Sequence, residues 1–201
     1  MNTRSEPFLW IHLAGIALFP ALIGLTLISL AVGNSFLYFV ELPLLVATGI
    51  LPILVMQLVR PFDIFSILIF SIQPENLSDG QRQILSLLTS FKQKLSSIIA
   101  ALLMLATLWL LYRLSPLAVE IADFLPQWRT LGLAIACCSF LLSNLFFQIP
   151  LSVLLVLKTS ESEKAAVEPY PTAEIEQSFL VPGIKVNKIL WFLESSPKQQ
   201  K

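Results

Sequence analysis

LGLAIACCSFLLSNLFFQIPLSVLLVL, residues 131–157, contains no charged side chain. As an α-helix rising 1.5 Å per residue it reaches about 40 Å, more than the roughly 30 Å hydrocarbon core of a bilayer. Its strongly polar residues are few. Asn144 and Gln148 stand four apart and so share a helix face, and Pro150 follows them. Such a stretch reads as a membrane span, because in lipid a helix satisfies its backbone N–H and C=O groups within itself.

Three more stretches read the same way toward the N-terminus. Leu95–Leu114 is apolar, with Tyr112 and Arg113 as anchors at its far interface. Phe36–Val59 carries Pro43 and Pro52. Each removes a backbone donor and invites a kink, so this span is expected to pack against other helices. Phe8–Val32 starts with Trp10 and His12 in the interfacial zone. Glu6 follows Arg4 and the apolar run is long, which predicts a retained first span rather than a cleaved signal. Gly33, Asn34 and Ser35 leave room for only a short turn, so the first two spans should be antiparallel. The expected fold class is therefore an all-α integral membrane protein. It has four transmembrane helices (8–32, 36–59, 95–114 and 131–157), short interfacial helices and a cytoplasmic C-terminal tail over 159–201.

The segments between and after the spans carry their own signals. Pro61–Ile72 is too short to cross and contains Asp63, so an interfacial helix opened by Pro61 is expected. Ser78 and Gln81 have capping-box spacing. Ile84, Leu87, Leu88, Phe91 and Leu95 then recur at helical period. Region 61–94 thus reads as interfacial and amphipathic, its last helix running directly into the third span. Pro116–Leu125 reads as another interfacial helix, with Trp128 and Arg129 as an anchor before the fourth span. In the tail, Thr159–Glu168 reads as a solvated linker and Thr172–Gln177 as a helical turn. Phe179–Phe192 is apolar but broken by Pro182 and Gly183, which suits docking on the membrane or a partner. Ile184, Lys185, Lys188, Leu190, Trp191 and Phe192 are the docking candidates.

Composition agrees with these assignments. Of 201 residues, 56% are hydrophobic and 13% charged, with a mean hydropathy of +0.78. Soluble domains carry about 25% charged residues, so lipid must cover part of this surface. The 13 basic and 13 acidic residues balance. No basic stripe is present, and no nucleic-acid partner is expected. With both termini on one side, that side holds Arg4, Arg60, Arg82, Lys92, Lys94, Lys158 and Lys164, against Arg113 and Arg129 on the other. The positive-inside rule then predicts cytoplasmic termini. Cys137 and Cys138 are neighbours pointing about 100° apart on a helix, so they read as small packing residues and not a disulfide.

Catalytic signals are sparse. There is one histidine, no zinc-spaced cysteine pair and no glycine-rich phosphate loop, so neither an enzyme nor a metal centre is expected. Glu41 is the one carboxylate placed inside an apolar span, and an intramembrane ionisable group is a functional candidate by default. Being near the turn, it could also reach headgroups. Asn144 and Gln148 suit either a polar substrate path or hydrogen bonding between helices. The His12 imidazole could ligate a metal, including a chlorophyll magnesium, or bond water or a backbone carbonyl. Ser97 with Ala101, and Gly132 with Ala136, permit close helix packing.

Ser5–Gly15 (SEPFLWIHLAG), Pro126–Arg129 (PQWR), Thr159–Glu163 (TSESE), Glu168–Pro171 (EPYP) and Val181–Leu190 (VPGIKVNKIL) lie from one end of the chain to the other. Through them the sequence resembles the low-complexity tail membrane protein family known from cyanobacterial genomes. The resemblance implies a cyanobacterial membrane, thylakoid or plasma. It brings no activity and no site residue with it. It makes a photosystem or its assembly intermediates a natural partner. The leading expectation is a non-enzymatic scaffold or accessory protein of a larger membrane complex. The alternative is a small transporter or lipid-handling protein using Glu41, Asn144 and Gln148.

Overall fold

A computed structural model describes residues 6–33, 38–67, 69–123, 125–187 and 189. Four helices are long and apolar enough to cross a membrane: Pro7–Ala31, Phe39–Val59, Phe91–Ala122 and Arg129–Lys158. The face where the first begins and the fourth ends is called basal below, and its opposite distal.

The first span consists of α1 (Pro7–Ala14), a 3-10 turn over Gly15–Leu18 and α2 (Phe19–Ala31). Pro20 causes the tightening. It has no N–H to give the Ile16 carbonyl, and the Phe19 N–H bonds that carbonyl instead. The second span is α3 (Tyr38–Leu45), a π turn over Val46–Ile50 and α4 (Leu51–Val59). Here Pro52 withholds the N–H, and the chain widens so that the Leu51 N–H reaches Val46.

Residues after Arg60 depart from the expected interfacial helix. They form β1 (Ser66–Ile67) and β2 (Phe70–Ile72), an antiparallel pair. The reason is non-local: β2 also pairs in parallel with the tail strand described below, and Phe62 bridges to Leu180. The expected continuous helix into the third span is also interrupted. The Ser78–Gln81 capping box opens α5 (Asp79–Leu88), which stops at Thr89. Ser90 then caps a new helix, α6 (Phe91–Leu114), by accepting from the Gln93 N–H. A 3-10 turn and α7 (Val119–Ala122) follow on the distal face, and α8 (Arg129–Lys158) returns to the basal face.

The described part of the tail, 159–187, is built into the fold. The expected linker contains α9 (Glu161–Ala165), opened by a Ser160–Glu163 capping box. After α10 (Thr172–Ser178), Leu180 N–H bonds the Pro61 carbonyl, and Asp63 N–H bonds the Leu180 carbonyl, both at 3.0 Å. Strand β3 (Ile184–Val186) lies beside β2, with Phe70 opposite Ile184. The turn before it needs glycine. Gly183 has φ +89°, and a Cβ there would stand 2.2 Å from the Ile69 carbonyl oxygen.

Two large cores result. The basal core joins Phe8 and Leu9 of the first span to Phe65, Leu85, Val156 and Phe179. Phe8 meets Phe65 edge-on, with ring centres 5.7 Å apart. The second lies within the bundle, around Leu45, Met104, Leu108, Ala136 and Phe140. Gly132 lets α8 approach α2, since a Cβ there would come within 2.8 Å of the Ser29 carbonyl and Val32. One turn on, Ala136 is fully buried. Ser97 and Ala101 are likewise buried on α6.

Candidate functional site

The distal end of the bundle holds a buried ion pair with several further hydrogen bonds. Glu41 of α3 is fully buried, and Arg129, the first residue of α8, is nearly so. Arg129 Nε donates to Glu41 Oε1 at 2.8 Å, and Nη2 donates to Oε2. The Tyr112 hydroxyl of α6 donates to the same Oε2 at 2.9 Å. Arg129 Nη1 donates to the carbonyls of Leu30 and Val32, at 2.7 and 3.0 Å. Those are carbonyls that the end of α2 leaves without helical partners. One ion pair thus ties together all four spans. Gln127 supports it from outside, accepting from the Gly33 N–H and donating to Ala122 and Leu125. Two opposite charges bonded this fully form a lock, since each satisfies the other away from water.

A second polar chain lies deeper. Asn144 Nδ2 donates at 2.9 Å to the Gly49 carbonyl, inside the π turn that Pro52 imposes. Gln148 Nε2 donates at 2.9 Å to Asn144 Oδ1. The two amides therefore link the fourth span to the irregular turn of the second. Gln93 adds a third tie, from α6 to the Ser152 carbonyl.

His12 lies on the first span near the basal face. Its Nδ1 donates to the Phe8 carbonyl at 2.8 Å, the Ser66 backbone is also a hydrogen-bond neighbour, and Phe62 packs 5.6 Å from the ring. Of the docking candidates, Ile184 is exposed in β3, and Lys185 Nζ pairs with Glu176. Lys188, Leu190, Trp191 and Phe192 lie outside the described residues. Cys137 and Cys138 are free thiols.

A family model described as low-complexity tail membrane protein-like matches residues 5–191. The chain belongs to that family. No curated protein and no solved structure matches it.

In this member of the low-complexity tail family, four of the five stretches that carried the resemblance meet at the basal face. Glu6 is buried and accepts from Gln81 Nε2 of α5 at 3.2 Å. TSESE forms the cap of α9. EPYP lies along α5: Ser86 Oγ donates to the Glu168 carbonyl, and Tyr170 N–H bonds the Arg82 carbonyl. VPGIKV makes the Gly183 turn and β3. Four of the five stretches therefore build the basal layer, while PQWR supplies Gln127 and Arg129 of the distal lock.

Sequence reasoning missed three groups. Arg129 read as an interface anchor, yet it lies at the same membrane face as Glu41, and that alternation was the available signal. Arg82 read only as one of the basic residues of the cytoplasmic side. In the fold its Nη1 donates to the Tyr170 carbonyl and Thr172 Oγ1, and Nη2 pairs with Asp79 at 2.5 Å. Asp63 is buried between the second span and the sheet, and its Oδ1 accepts from the Phe65 N–H at 2.9 Å. Burial pushes its carboxyl up to about 6, and the Phe65 bond opposes that only in part.

Proposed function

We propose that this family member is a non-enzymatic scaffold or accessory protein, anchored by four spans and docking a larger membrane complex through its basal layer. The observation that carries the reading is how the intramembrane polar groups are used. Glu41, Arg129 and Tyr112 bond one another, and Asn144 and Gln148 bond a backbone carbonyl and each other. These groups act in the proposal as ties between helices, in place of a path for a substrate. The docking surface is the exposed apolar rim of the basal sheet, where Ile69, Phe70 and Ile184 stand outside the spans. No cofactor enters the proposal, and His12 serves in it as a packing and hydrogen-bonding residue.

The proposed orientation places the basal layer in the cytoplasm. Arg60, Arg82, Lys92, Lys94, Lys158 and Lys164 lie on that side, while distal Arg129 is neutralised by Glu41. In the membrane that the resemblance implies, thylakoid or plasma, the partner to test is a photosystem or an assembly intermediate of one. Mild crosslinking in native membranes, followed by native-gel separation, tests the reading. The expected result is migration with a defined complex, lost on combining Phe70→Asp with Ile184→Asp while all four spans stay inserted. Migration only as a small free protein contradicts it. So does ion or metabolite flux through liposomes that Glu41→Gln abolishes, which would favour a transporter.

A further inference from the structure

Where the second span leaves the membrane, two depressions adjoin. One, of about 380 Å³, is a cup of mixed polarity whose polar lining includes Arg60, Lys94, Thr89, Gln177 and Ser178. The other, of about 280 Å³, is an apolar groove along α4 that includes Pro52, Val55, Met56 and Leu180. They share Val59 and Arg60. We propose that together they bind one anionic membrane lipid, with the headgroup on Arg60 and Lys94 and an acyl chain along Pro52, Val55 and Val59.

Position, charge and shape all support this assignment. Arg60 directly follows the last residue of α4, and Lys94 lies in the first turn of α6. Both therefore stand at the boundary between hydrocarbon and headgroups. Among the described residues, no carboxylate lines either depression. Arg60 Nη2 donates to the Glu176 and Phe179 carbonyls, at 2.7 and 3.0 Å, which fixes the guanidinium plane against the tail. Among the described residues its Nε and Nη1 have no partner, and Lys94 is exposed and makes no ion pair. A rigid guanidinium beside an ammonium suits a phosphate or sulfonate oxygen cluster. A free anion would use only the cup. The groove leads from Arg60 toward the bilayer for about 10 Å at 1.5 Å per residue, and Val55 and Val59 present their side chains outward along it.

The test measures lipid retained by the full chain after release from discs that contain equal phosphatidylglycerol and phosphatidylcholine with matched chains, read by native mass spectrometry. Two basic residues should favour phosphatidylglycerol by about thirtyfold, and Lys94→Ala should lower that preference about fivefold. Val55→Trp, a lipid-facing change that fills the groove, should reduce retention while Lys94 is intact. Soluble glycerol phosphate at millimolar concentration should not displace the lipid. Equal retention of the two lipids overturns the proposal, as does unchanged retention in both variants. Displacement by glycerol phosphate as effective as by lipid would reduce the site to the cup alone and overturn the lipid assignment.

Discussion

Arg129 does two jobs at once: it neutralises Glu41 and it closes the carbonyl end of α2. Removing one member leaves the other charged and buried, which costs about 3–5 kcal/mol in comparable pairs. Glu41→Gln and Arg129→Met should each lower stability by that order in unfolding titrations in lipid discs. The double variant should lose clearly less than the sum, because the stranded charge is gone. Asp63 makes the opposite kind of prediction. Burial holds its folded pKa near 6, above the ordinary aspartate value of 3.8, so the folded state holds the proton more tightly. The stability it contributes is complete below about pH 4 and is lost as pH rises through about 6, by about 3 kcal/mol at 1.36 kcal/mol per unit. Asp63→Asn should therefore be more stable than the parent at pH 8 and nearly equal to it at pH 4, with a flatter pH profile between. Glu41, Asn144 and Gln148 could be singled out from sequence because polarity inside an apolar run is conspicuous. Their partners could not, since Gly49 offers only a carbonyl, and Tyr112 and Arg129 also fit the ordinary pattern of interface anchors.

The spans were legible because each helix satisfies its own backbone, so hydropathy alone marks it. Of the two prolines read as kink sites in the second span, Pro52 coincides with the π turn, while Pro43 sits inside the continuous α3. The basal sheet was not legible. Pro61–Ile72 is a short apolar run whose periodicity does not separate helix from strand. Its pairing partner lies more than a hundred residues away in sequence, at Ile184–Val186. Gly183 and Pro182 signalled a break in the tail, but a break says nothing about what the chain turns to meet. The element most exposed to a single change is that turn. In Gly183→Ala, a Cβ at positive φ would run into the Ile69 carbonyl, so β3 should detach from β2. Hydrogen exchange should then accelerate at Ile184 and Gln73, whose N–H groups bond Ile69 and Val186. The Glu41–Arg129 lock at the distal face should keep its protection. Unchanged exchange at Ile184 would mean that the sheet does not depend on this turn.

At the scale of the molecule, a four-span anchor is locked at its distal end by an ion pair and capped at its basal end by a layer woven from the loop after the second span, α5 and the tail. The described part of the tail, 159–187, is thus packed into the fold and is not a free tether. Phe179 and Ile175 are fully buried in the same core as Phe8 and Leu9, so removing the tail opens the fold itself. The distribution of exposed apolar side chains has the same two-part logic. Val55, Leu102 and Leu110 face outward from the spans, as lipid contact requires, while Phe70 and Ile184 stand exposed on the basal layer. This architecture rests on an even number of crossings that brings the beginning of the first span and the end of the fourth to one face. The most direct test is side-specific labelling of single cysteines, in sealed vesicles, in a chain with Cys137 and Cys138 replaced. Cysteines at Gly80 and Glu174 should react with an impermeant reagent from one side, the cytoplasmic one under the proposed orientation, and a cysteine at Asp123 only from the other. Reaction of Asp123 from the same side as Gly80 would contradict the four-span fold.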